Sequence, residues 1–151
     1  MHPSASPDER ESLLGWLAFL RAAVLRDVED LDEDQARWRP DGRLISVLGV
    51  VNHLTRVEWR WIDGGFRGAA VDRQEAEFSP GMETTVAEVV TAYRRRAEQT
   101  EAVARSLPLD ARCATEDVDL RWVLMHLVNE TARHAGHADA TRELLDGRTG
   151  E

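Results

Sequence analysis

Apolar residues recur along this chain at three- and four-residue steps in four long stretches, with polar breaks between them. In the first, from about Asp8 to Leu31, the stripe is Leu13, Leu17, Leu20, Val24, Val28 and Leu31, with Glu, Arg and Asp opposite. Trp16 and Phe19 fall at its margins. That period belongs to a helix laid against a core. Ser46 can cap a second helix through VLGVVNHLTRVEWRWI to about Asp63, whose buried side carries Val47, Val50, Leu54, Val57 and Trp61. Thr85 with Glu88 three residues on is a capping-box pattern, and it opens a third helix to about Leu107. The fourth runs from Asp119, an N-cap, to Gly147, which tolerates the left-handed residue that closes a helix. Leu120, Val123, Leu124, Leu127, Thr131, Ala138, Thr141 and Leu145 mark its inward face.

The breaks are as informative as the helices. Residues 1–8 are polar with two prolines and are expected to be a flexible lead-in. Pro40 and Gly42 interrupt the connector from Asp32 to Arg43, where Trp38 is expected to plug an apolar gap. Gly64-Gly65 is expected to end the second helix. The polar stretch from there to Met82 is long for a loop, and it either covers a site or forms a short hairpin. Pro108 stops the third helix. No alternating strand pattern and no internal repeat occurs. The pattern therefore predicts an all-α protein, an antiparallel four-helix bundle in one domain over residues 1–151, with a long connection between helices two and three.

A length of 151 residues with 42% hydrophobic positions is enough for a proper core. The formal net charge of -9, from 28 acids and 19 bases, argues against nucleic acid and anionic membranes as partners. The run Arg94-Arg95-Arg96 is expected on a solvated surface. Cys113 stands alone, so neither an internal disulfide nor a thiolate metal cluster is available, and it is expected to be an ordinary residue. The N-terminal stretch has no apolar leader pattern and no run of 18 apolar residues occurs, so a cytosolic protein is expected.

The fourth helix departs from a plain amphipathic pattern. At roughly 100° per residue His134 projects near the middle of the apolar stripe, Glu130 about 40° to one side, and His137 about 20° beyond Glu130. His126 lies further out, near the edge. Inward carboxylates and imidazoles carry a desolvation cost that a shared metal ion can offset, and side chains four apart on one helical face can share it. One histidine on an apolar face is ordinarily a core residue with a backbone partner. His53 on the second helix, however, also sits at the edge of a buried stripe. Inward ligand-type side chains on two helices favour a metal site.

The segments LISVLGVVNHLTRVEWRW and NETARHAGHADATRELLDG, with ARWRP before helix two, resemble the DinB-like superfamily, in particular its mycothiol-dependent branch (the DUF664 group). The resemblance implies a four-helix bundle with a divalent metal held by a residue of the second helix and two residues four apart on the last. By position it assigns those roles to His53, Glu130 and His134, and leaves His137 as pocket lining or support. It also implies mycothiol as the thiol cosubstrate and a small electrophile as the second substrate. Zn²⁺ is the first expectation for the metal and Ni²⁺ the second, and a homodimer is possible.

Two imidazoles and a carboxylate leave open positions on such an ion. A thiol there loses its proton to become the nucleophile, which supports a thiol S-transferase. Two alternatives stand beside it: a bundle that binds metal without chemistry, as a stress-response module would, and a metal-dependent hydrolase that activates water instead.

Overall fold

The computed structural model describes residues 2–150, and it is all-α, with no strand among the described residues. In chain order the helices are α1 (Glu9–Val28), α2 (Glu33–Arg37), α3 (Val47–Trp59), α4 (Val86–Ser106) and α5 (Leu120–Asp146). The long helices begin where a side chain can accept from an orphan amide. Asp8, Ser46, Thr85 and Asp119 accept from the N–H groups of Glu11, Gly49, Glu88 and Trp122. At the far end of α5, Gly147 takes φ 78° and its N–H reaches the Glu143 carbonyl.

Helix ends are less regular than the apolar period suggests. α1 stops at Val28 instead of Leu31, because Glu29 turns extended and Asp30 takes φ 63°. That turn frees Asp32 to start α2 with a capping box to Gln35, inside a stretch expected to be irregular. Gly64-Gly65 does not end the second predicted helix. The backbone continues from α3 through a π-turn over Arg60–Gly64, and Gly65 keeps right-handed helical angles. A side chain at Gly65 would meet the Cys113 sulfur 2.8 Å from its Cβ, so this glycine allows a close approach. The segment after it forms no hairpin; it carries a short 3₁₀ turn over Glu75–Phe78 that packs on α3.

Two apolar clusters fill the interior, and each long helix contributes to both. One contains Val24, Val28, Val47–Val51, Leu54, Tyr93 and Ala138; the other contains Leu13, Leu17, Val57, Val103, Leu120 and Leu127. The order in which a helix passes through them gives its direction. α1 and α5 run from the second cluster to the first, whereas α3 and α4 run from the first to the second. α3 and α4 are therefore parallel to each other, which differs from a simple antiparallel alternation. A parallel pair needs a return path along its own length, and the stretch between Gly65 and Thr85 supplies it.

Between the clusters lies a layer of buried polar side chains. Arg21 on α1 gives Glu58 on α3 two hydrogen bonds, of 2.7 and 3.0 Å, and the Thr100 hydroxyl on α4 adds one of 2.9 Å. Arg96 corrects the reading of the arginine run. Arg94 and Arg95 are exposed, but Arg96 is buried and donates to Asp63 at 2.7 Å. Arg142 on α5 is also buried; it donates to the carbonyls of Asp27 and Glu29 and so closes the C-terminal end of α1.

Asp27 gives this end of the molecule a pH dependence. Burial raises its carboxyl from 3.8 to about 7, with the Asp139 charge and a hydrogen bond to Asp139 adding to the rise. Arg142 and Arg26 oppose it. The folded protein thus holds a proton that the unfolded chain has released, and the stability this proton provides is lost as pH rises through about 7. An amide mimics the protonated carboxyl, so Asp27→Asn should raise the melting temperature at pH 8 by roughly 3–6 °C. Near pH 4, where the unfolded chain still holds much of this proton, it should change little. Equal shifts at both pH values would show that the proton plays no part.

Candidate metal centre

α3 and α5 pack directly on each other, and their facing sides bring His53, Glu130 and His134 together. One ligand atom from each lies within 4.8 Å of the other two. The Glu130 carboxylate is 3.5 Å from His134 Nε2 and 3.9 Å from His53 Nε2. A tetrahedral ion at 2.0–2.1 Å from its ligands holds them about 3.3 Å apart, so a small inward shift suffices. His53 and His134 are 4% and 8% exposed, and their Nδ1 atoms are buried without a hydrogen-bond partner.

Electrostatics favours the ligand form of both rings. Burial pushes His53 down to about 3, and the charges of His134, Arg60 and Arg73 add to that. Burial also lowers His134, against the opposing pull of Glu130, with His137 adding to the lowering. Both imidazoles are therefore neutral at neutral pH, as a metal ligand must be. Two neutral imidazoles beside a carboxylate form a donor set that suits a divalent ion.

The three side chains lie at the wall of a cavity of about 890 Å³. Trp61, Phe78, His126, Arg133 and His137 also line it. His137 stands outside the group of three but edge-on to His134, with ring centroids 5.2 Å apart. His126 lines the same cavity further along α5, stacked on Trp122 at 5.1 Å and tilted against Trp61. Trp38 is half-buried and is not part of this lining, and Cys113 is buried against Gly65 and Thr115.

The sequence reading missed Glu77. Its side chain is wholly buried although it comes from a polar, aperiodic stretch, and its Oε2 is 3.7 Å from His53 Nδ1. Phe78, next in the chain, stacks on the His53 ring at 4.2 Å. Hydrophobic period carries no signal for either, since the segment is not a regular element. The polar connection thus covers the site, the first of its two expected roles.

A family model described as MST, mycothiol-S-transferase, matches residues 12–147, a span that includes all three converging side chains. No curated protein matches the chain.

Proposed function

The chain belongs to the mycothiol-S-transferase family, and from that premise we propose that it is a metal-dependent thiol S-transferase that joins mycothiol to a small electrophile. The observation that carries this reading is the convergence of two neutral imidazoles and a carboxylate at one wall of a substrate-sized cavity. His53, Glu130 and His134 would hold a divalent ion, with Zn²⁺ the first choice and Ni²⁺ the second. Such an ion, when bound, stabilises a thiolate at neutral pH and so provides the nucleophile. In this reading the four long helices form the DinB-like four-helix bundle, as one domain.

The chain's own groups do the rest. Burial keeps the His53 and His134 rings neutral, so each has one unprotonated ring nitrogen to offer as a ligand. Glu130 adds the negative charge that a dication needs near two neutral ligands. Trp61, Phe78 and His126 give the cavity an aromatic wall that keeps water from a bound electrophile. Holding the two reactants side by side there turns a bimolecular attack into an effectively intramolecular one.

The test is thiol-transfer rate with mycothiol and a panel of electrophiles, from pH 6 to pH 9, for chelated and Zn²⁺-loaded protein. Activity should require the metal. It should stay level well below the pKa of about 8.5 of a free cysteine thiol. A rate that tracks free thiolate across that range would sink the proposal, and turnover of electrophile without thiol consumption would redirect it to hydrolysis.

A further inference from the structure

We propose that Glu77 is a positioning residue for His53, fixing the ring's proton on Nδ1 so that Nε2 is left bare toward Glu130 and His134. The inference rests on the metal reading above and extends it to a residue of the long connection. Neutral imidazole carries its proton on one nitrogen, and a metal ligand must carry it on the other. His53 Nδ1 is buried, without a partner among the described residues, and the one described carboxylate it faces is Glu77, at 3.7 Å. A small rotation of either side chain closes that gap to a charge-assisted hydrogen bond. Carboxylates behind a ligating imidazole serve this purpose generally.

The seat of Glu77 is built for it. His53, Arg56 and Arg60 lie on one face of the α3 backbone and its π-turn extension, and all three point at the same Glu77 Oε2, at 3.7, 3.6 and 3.4 Å. The two guanidiniums hold the carboxylate behind the ring, where its oxygen can accept a hydrogen bond from Nδ1–H. The turn itself is pinned from three sides. Asn52 donates to the Glu77 carbonyl at 2.7 Å, and the Phe78 ring stacks on His53. Gly49 has no side chain where one would collide, since a Cβ there would stand 2.1 Å from the Phe78 carbonyl oxygen. Gly49, Asn52 and His53 thus bind one turn, and that turn delivers one carboxylate behind one ring.

The experiment combines Zn²⁺ titration against a competing chelator with ¹⁵N NMR of the imidazoles, on the full chain and its Glu77→Ala and Glu77→Gln variants. In metal-free wild type the His53 proton should reside on Nδ1, and in Glu77→Ala it should move to Nε2. Zn²⁺ affinity should fall by about 10–100-fold in Glu77→Ala. Glu77→Gln should lose less, because an amide oxygen still accepts from Nδ1–H. In Glu77→Ala, weaker Zn²⁺ binding with an unmoved tautomer would show that Glu77 acts only through charge and would overturn the positioning role. So would wild-type affinity in a folded variant. If Glu77→Ala fails to fold, metal-free wild type decides: a His53 proton found on Nε2 there would overturn the positioning role. A wild-type chain that binds neither Zn²⁺ nor Ni²⁺ would defeat the metal reading, while the tautomer in metal-free protein would still decide what Glu77 does to His53.

Discussion

Replacing His134 with alanine should reduce affinity for a divalent metal on the order of 10³-fold or more, because it removes one of three protein ligands. His53→Ala and Glu130→Ala should do the same, and thiol transfer should fall with the metal content. The expectation follows from the short separations of 3.5 and 3.9 Å around the Glu130 carboxylate, which leave no other described side chain equally placed. His137→Ala supplies the contrast. Its ring touches His134 but is not among the converging three, so that variant should keep its metal and change rate or affinity for substrate. His126→Ala should also keep it. Elemental analysis of the purified variants, with competition titration for those that bind, decides the matter. A triple variant of His53, Glu130 and His134 that still held stoichiometric metal would show that the ligands lie elsewhere.

Glu58→Ala should destabilise the fold by about 3–5 kcal/mol, the range for removing one partner of a buried ion pair. Glu58 is 1% exposed and accepts from Arg21 and Thr100, so it ties together α1, α3 and α4 at mid-height. Without it, the Arg21 guanidinium remains buried, and among the described residues only the half-exposed Glu101 is within ion-pair distance, at 3.7 Å. Tyr93 would feel the change too, since its buried hydroxyl lies in the field of Glu58 and is held well above its ordinary pKa chiefly by burial. Against a total of about 5–15 kcal/mol for a native domain, such a loss leaves little margin. Urea unfolding gives the number. Replacing Arg21 and Glu58 together by Met and Leu should restore much of it, because a packed apolar pair avoids the desolvation of two charges. A loss below about 1 kcal/mol for Glu58→Ala would place this pair with weak surface pairs.

What the sequence determined by itself is what depends on neighbours within a turn or two of helix. The caps at Ser46, Thr85 and Asp119 were legible because a capping side chain and the amide it satisfies lie three residues apart. The inward faces were legible because burial of one helical face imposes a period. Glu130 and His134 share a face for the same reason, and His53 stood out as an imidazole beside a buried stripe.

Tertiary structure decided what depends on a partner distant in the chain. Arg21, Arg96 and Arg142 look like surface residues in sequence, yet each is buried because another helix brings Glu58, Asp63 or the end of α1 to it. The direction of α4 relative to α3 was likewise hidden, since an amphipathic period is the same read either way along a bundle. Glu77 was the least legible of all. Its role comes from a turn without period that is held against Gly49, Asn52 and His53, and only the folded chain brings those residues together.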